Sequence, residues 1–268
     1  MNDRPSNDPA LTDAPRPTVW LVGAGPGDPE LLTLKALRAI RRASVLLVDD
    51  LVAAAVLRYA RRTARIVHVG KRGGCRSTPQ AFIEQLMLRE ALAGERVVRL
   101  KGGDPGVFGR GGEEAEFLRA HGVQVEVVNG ITAGLAAATS LGVALTHRDH
   151  AHGVIFVTGH ARAGDAALQW RTLAAAAAQG LTLVVYMGVS EAPRLQRELL
   201  LALPAGTPVA IVQHASRADQ QSAVTTLAQM VATIESKALG SPAIIIVGDV
   251  LKGLGEVALT ASRSARAA

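Results

Sequence analysis

From Thr18 onward, short apolar runs alternate with longer stretches of helical periodicity, and this alternation limits the chain to an α/β architecture. The spacing predicts strands at Thr18–Gly23, Val45–Val48, Ile66–Val69, Arg96–Leu100 and Val123–Val128. Between them it predicts helices at Pro29–Arg42, Val52–Tyr59, Pro79–Ala93 and Gly112–His121. In the first helix Leu31, Leu34, Leu37 and Ile40 recur every three residues as one face, and Pro29 suits the first turn. Aromatic residues are only 3% of the chain, so small aliphatic side chains must fill the core, as in a mostly parallel, doubly wound sheet.

A small, apolar helix is expected over Ile131–Leu141, followed by a polar turn around residues 146–152. The alternation then restarts, with strands at Val154–Thr158, Leu181–Met187, Pro208–Val212 and Ala243–Val247. Helices are expected at Ala166–Gln179, Glu191–Leu201 and Leu227–Ser236, and Ser222–Thr226 precedes the last of them. The expected organisation is a tail over 1–17, one α/β domain over 18–130, a second over 131–257, and a short basic tail over 258–268.

A single cysteine, Cys75, excludes an internal disulfide and a cysteine-based metal cluster, and it points to a reducing, cytoplasmic setting. No apolar run has the length of a membrane span. The formal net charge is +6, and Leu51 to Ile83 holds no Asp or Glu but carries Arg58, Arg61, Arg62, Arg65, Lys71, Arg72 and Arg76. Such a stretch attracts anions, either nucleic acid or a small polycarboxylate. The scarcity of stacking aromatics and of any recognisable motif counts against nucleic acid.

Two glycine-rich turns follow predicted strands. The first, Gly23-Ala24-Gly25-Pro26-Gly27-Asp28, resembles a dinucleotide fingerprint with Asp49 as the ribose acid, which is the reading of a nicotinamide-dependent dehydrogenase. Asp28 stands where a third glycine is needed and would face a pyrophosphate, and Pro26 lacks an N–H to offer one. The second, Lys101 to Glu114, has six glycines in eleven residues, letting backbone approach a ligand closely. Within it Asp104 is a candidate acceptor for an amine or a ribose hydroxyl, and Arg110 a partner for a carboxylate. Free N–H groups at the helix start near Thr132 can bind a carboxylate or an adenine edge. His147, His150 and His152 are close in sequence, but Arg148 among them opposes a cation, so no metal is expected and His147 is expected to pair with Asp149.

Together VGAGPGDPELLTL (22–34), VGKR (69–72), VRLKGGDPGVFGRGGEE (98–114), GITA (130–133), LTHRD (145–149), TGH (158–160), YMG (186–188) and PAIIIVG (242–248) resemble the tetrapyrrole methylase family. The resemblance runs in order from about residue 18 to 254. It implies two α/β domains with the active site in the cleft between them, usually as a homodimer. It implies binding of S-adenosylmethionine, with Pro26, Gly102, Gly103, Asp104, Val107, Thr132, Ala133, Met187, Ala215 and Ala243, beside Pro242, at contact positions. It implies two C-methylations of uroporphyrinogen III to precorrin-2, or the methylation of a later precorrin. Asp49 is then the proton acceptor or a structural acid, and Lys71 the proton donor or a carboxylate anchor. Arg72, Gln80, Arg110 and Arg148 are the substrate-binding candidates, and the basic stretch has a tetrapyrrole polycarboxylate to orient. This sequence departs from the family pattern at Val48, Gly106 and His150, where an aromatic or bulky residue is common.

Overall fold

The computed structural model describes residues 17–70, 78–160 and 169–254. Lys71, Arg72, Cys75 and Arg76, the expected start of the helix at Ala166 and the expected tails, apart from Pro17, lie outside the described residues. Two five-stranded sheets organise the rest.

The first sheet comprises β1 (Thr18–Gly23), β2 (Val45–Val48), β3 (Arg65–His68), β4 (Val97–Lys101) and β5 (Gln124–Val128), ordered β3-β2-β4-β1-β5. Every pairing in it is parallel, as the alternation predicts. The connecting helices are α1 (Leu34–Arg42), α2 (Ala54–Leu57), α3 (Gln80–Leu92) and α4 (Gly111–Ala120). One face packs Val19, Leu21, Val45, Leu47 and Val97 against Ile83, Met87, Ala115 and Leu118. The other packs Val22, Leu46, Val98 and Leu100 against Ala36, Ile40 and Val56. Parallel strands buried on both faces explain the unbroken apolar runs.

The expected helix over Pro29–Arg42 is instead a single 3-10 turn, Pro29–Leu31, followed by α1. Thr33 causes the break: its Oγ1 accepts the Ala36 N–H at 3.1 Å and restarts the helix one turn later. The buried face shifts to Ala36 and Ile40, leaving Leu34 70% exposed.

In the second half α5 (Ala133–Ser140) leads to β6 (Gly153–Thr158), α6 (Trp170–Ala178), β7 (Leu181–Tyr186), α7 (Ala192–Leu199), β8 (Pro208–Gln213), β9 (Gln221–Thr226), α8 (Met230–Ser236) and β10 (Ala243–Val247). The strand order is β6-β7-β10-β8-β9. Only β6–β7 is parallel; β10 enters antiparallel between β7 and β8, and β9 returns antiparallel to β8. The mostly parallel expectation therefore fails here. The seven residues between β8 and β9 are too few for a parallel crossover, which needs a dozen or more.

Candidate functional site

In open parallel sheets ligands collect beyond the carboxyl ends of the strands. At that edge three glycine turns of the first sheet meet backbone to backbone. Gly25 and Gly103 form an isolated bridge, with N···O distances of 3.2 and 2.7 Å. A Cβ on Gly23 would stand 2.5 Å from the Gly130 nitrogen, and one on Gly130 would stand 2.2 Å from the Gly103 oxygen. Any side chain at 23 or 130 would force the turns apart, so glycine here is a requirement of close approach.

Asp104 locks this junction. Its Oδ1 accepts the Gly106 N–H at 2.7 Å, and its Oδ2 accepts from Asn129 Nδ2 at 3.2 Å and the Gly130 N–H at 3.0 Å. At 8% exposure, and with three acceptor positions in use, the carboxylate first of all shapes the loop. Asp28 spends its Oδ1 on the Glu30 N–H at 2.8 Å, capping the 3-10 turn where a dinucleotide would place its phosphates. The first turn is thus built for a ligand without phosphate there.

The second sheet presents its own edge to these turns. The Asp28 N–H donates to Ser216 Oγ at 3.1 Å, and a Cβ on Gly27 would strike the Arg217 side chain at 2.3 Å. Tyr186, at the end of β7, bonds through its hydroxyl to Thr132 Oγ1 at 2.7 Å and accepts the Gly134 N–H at 2.9 Å. Phe108 from the second glycine loop packs on the Tyr186 ring, centroids 4.8 Å apart. Burial pushes the Tyr186 phenol above its ordinary pKa, so it stays a neutral hydrogen-bonding strut. Replacing it by Phe removes a partner from two buried groups, Thr132 Oγ1 and the Gly134 N–H. Tyr186→Phe is expected to cost about 1–3 kcal/mol, read as a lower urea midpoint at unchanged m-value.

Val107, Ile131, Ala133, Tyr186 and Ala215 share one apolar cluster, and Thr132 is buried beside it. Gly102 and Gly103 lie on the bridged turn with Pro26 opposite, Met187 follows Tyr186, and Pro242 O accepts the His214 N–H at 3.1 Å next to Ala215. Ala243 opens β10 at the same edge but packs its side chain on the far face of the sheet. The structure therefore gathers the expected cofactor positions at one edge. Among the described residues six non-glycine residues have positive φ, and five of them, Phe108, Arg110, Met187, His214 and Ser216, lie on these loops. Such conformations cost energy and persist where surrounding structure holds a site in shape.

Asp49 follows β2 directly, half-buried, with its Oδ1 accepting the Asp50 N–H at 3.0 Å. Beside it lies a charged group that sequence reasoning missed. Arg99 Nε reaches Glu114 Oε1 at 3.1 Å, and Lys101 Nζ reaches both Glu114 oxygens at 3.0 and 2.9 Å. All three residues are 3% exposed or less. Burial pushes the Lys101 ammonium below its usual pKa, Arg99 adds to this, and Glu114 and Asp49 oppose it. Gln80, expected to bind substrate, instead donates to Glu114 Oε1 at 3.2 Å. Two cations on one face of an otherwise apolar buried strand were the available signal, since buried charges need partners.

Arg110 sits on the glycine loop but pairs with Glu113, Nε to Oε1 at 3.0 Å. Arg148 is not brought to this edge. α5 carries the chain to the opposite end of the second sheet, where His152 bonds Gly180 before β7 and Thr182 Oγ1 holds Leu145 O. There His147 Nδ1 lies 3.9 Å from Asp149 Oδ2, the expected pair, and stacks on His150. The basic stretch is also divided: Arg65 begins β3 and pairs with Glu90, so Arg61, Arg62 and Arg65 lie at the strand-start end, away from the glycine turns. Among the described residues no group of three or more His, Cys, Asp or Glu is placed to hold a metal, and no helix is long and apolar enough to cross a membrane.

Comparison with known proteins agrees with this arrangement. The family model for tetrapyrrole (corrin/porphyrin) methylases matches residues 18–231. A uroporphyrinogen-III C-methyltransferase of Pseudomonas aeruginosa is 52% identical over 237 residues, covering 88% of this chain and 95% of its own. A siroheme synthase of Azotobacter vinelandii is 48% identical across 87% of this chain, which spans 50% of that longer protein. The crystal structure of a uroporphyrin-III C-methyl transferase from Thermus thermophilus, complexed with S-adenyl homocysteine, superposes with a TM-score of 0.74 at 43% identity, covering 88% of this chain and 99% of that one. A family match that runs through both sheets, joined by relatives about half identical over most of the chain, leaves one assignment: the chain belongs to the tetrapyrrole methylases.

Proposed function

We propose that the chain is an S-adenosylmethionine-dependent C-methyltransferase that converts uroporphyrinogen III to precorrin-2 by two successive methylations, with S-adenosylhomocysteine as by-product. The observation that carries the reading is the junction of glycine turns against the Tyr186–Met187 edge, where the positions expected to hold the cofactor assemble around a phosphate-free turn. The relative from Pseudomonas aeruginosa, named for this activity, supports the substrate.

The residues fit the cofactor. Close backbone packing of Gly23, Gly103 and Gly130 draws the turns into one edge, where Val107, Ala133 and Ala215 supply apolar contact. Thr132 and the turn after Gly102 supply polar groups, and Pro26, Met187 and Ala243 border the same edge. Bound there, S-adenosylmethionine supplies an electrophilic methyl group on a sulfonium. A pyrrole β-carbon of the electron-rich macrocycle is the nucleophile, and the alkylated ring must then lose a proton. Asp49, at the carboxyl end of β2, is the acceptor of that proton. Lys71 and Arg72 follow Gly70 beyond β3, and we assign them to the substrate side: Lys71 as proton donor or carboxylate anchor, Arg72 as carboxylate anchor. Arg110 can exchange Glu113 for a substrate carboxylate, since both are partly exposed.

We further place the domain division at residues 130/131, between the last strand of the first sheet and α5, which packs on the second. A homodimer follows from the family resemblance, and a cytoplasmic setting from the single cysteine in 268 residues. Light scattering at micromolar concentration checks the first.

The direct test is anaerobic turnover of uroporphyrinogen III with labelled S-adenosylmethionine, read by mass. Gain of two methyl groups is the expected result. No transfer to this substrate, with S-adenosylhomocysteine still bound, would move the activity to a later precorrin. A narrower test probes the cradle. Gly103 has φ +66°, a conformation that any side chain strains, and a Cβ there would stand 3.7 Å from Thr132 Cα, so a bulky side chain starts against the Thr132 turn. Gly103→Leu is expected to weaken S-adenosylhomocysteine binding by about 1–3 kcal/mol, roughly 10–100-fold by calorimetry.

A further inference from the structure

We infer that Lys101 is a positioning residue for the methylation, acting through Asp49. The inference rests on the assignment of Asp49 as proton acceptor made above. Its basis is geometric. Arg99 and Lys101 occupy alternate positions of β4 and so point to the same face, beneath the glycine loop, where Glu114 of α4 meets both. The register aligns Leu47 with Arg99 and Val48 with Leu100, and the Asp49 N–H continues it to Leu100 O at 3.1 Å. Asp49 is therefore the next residue on that face of β2, one strand spacing of about 4.8 Å from Lys101.

Two buried cations against one anion leave a positive charge in a site with almost no water. An uncompensated buried charge is costly, and the Asp49 carboxylate, whose charge acts on Lys101, stands across the sheet to balance it. The Lys101 ammonium is itself pinned by both Glu114 oxygens, at 3.0 and 2.9 Å, and packs under Gly109, whose built Cβ would lie 3.3 Å from its Cε. A fixed ammonium thus holds the Asp49 carboxylate at one place on the sheet edge. Lys101, 2% exposed, is covered by the loop and touches no reacting atom.

The test is a double-mutant cycle with Asp49→Asn and Lys101→Gln, the amide keeping a hydrogen bond to Glu114 but not the charge. Turnover of uroporphyrinogen III gives kcat and KM, and calorimetry gives the Kd for S-adenosylhomocysteine. Lys101→Gln is expected to lower kcat about 100-fold, the cost of a misplaced reacting group, with Kd essentially unchanged. The double variant is expected to be no slower than Asp49→Asn alone, and Lys101→Arg is expected to recover part of the rate. Full kcat in Lys101→Gln, or losses that multiply in the double variant, would overturn the inference while leaving Asp49 as the base. Full activity in Asp49→Asn would instead remove the assignment on which it rests. Should Lys101→Gln fail to fold, Glu114→Asp draws the ammonium back by one methylene. Reduced kcat at unchanged Kd then supports the inference, and unchanged kcat overturns it.

Discussion

Asp49→Asn is expected to slow methyl transfer by about 10²–10⁴-fold while S-adenosylhomocysteine binds as tightly as before. The amide has the shape of the carboxylate and can still accept the Asp50 N–H through its oxygen, so the end of β2 keeps its form. What it cannot do is take the proton that the alkylated macrocycle must release. Asp49 lies at the carboxyl edge of the sheet, and among the described residues its carboxylate bonds the Asp50 N–H rather than the Gly103 or Thr132 turns, which is why cofactor affinity and turnover should separate. Single-turnover kinetics with labelled S-adenosylmethionine reads the transfer rate and calorimetry the cofactor affinity. If the variant keeps its rate and instead melts at a lower temperature, Asp49 is a structural acid at a strand end and the base lies elsewhere.

Glu114→Gln is expected to be the most destabilising single change of the site. Glu114 is fully buried and is the common partner of Arg99 and Lys101. Its amide removes the carboxylate that both cations share, and breaking such a buried pair costs about 3–5 kcal/mol. For a chain of this size each kcal/mol lowers Tm by roughly 2–4 °C. Glu113→Gln, one residue earlier but half exposed and paired with Arg110 at the surface, is the control and should melt close to the parent. Equal melting of the two variants would mean that the buried group contributes nothing beyond its neighbours' packing. The cluster joins the two ends of the glycine loop, Lys101 before it and Glu114 after it.

Much of the first sheet was legible because its inner strands β1, β2 and β4 are buried on both faces and therefore written as mostly apolar runs, with periodic helices between. The same reasoning misjudged the second sheet. An apolar run carries no direction, and β10 reads alike whether it enters parallel or antiparallel. β9, with Ala223 as its one buried residue, has no apolar run to mark it as a strand. Leu31, Leu34, Leu37 and Ile40 looked like one helix face, yet the Thr33 cap outweighed the spacing.

At the site, glycine spacing after strands exposed the turns in the sequence, because only glycine permits backbone contacts such as Gly23–Gly130. The family resemblance named Asp49 and most of the cofactor positions. It could not show that Gln80 and Asp104 would be engaged within the protein, or that α5 would carry Arg148 to the far end of the second sheet. Glu114 lies 15 residues from Arg99 and 13 from Lys101, and Tyr186 lies 54 from Thr132. Local pattern determines which segments are strands, helices and tight turns, because propensity and burial act residue by residue. Which charges meet, and which strand end faces which helix start, is decided only when helices pack on the sheets and the two sheets meet, since burial makes unpaired groups too costly to leave apart.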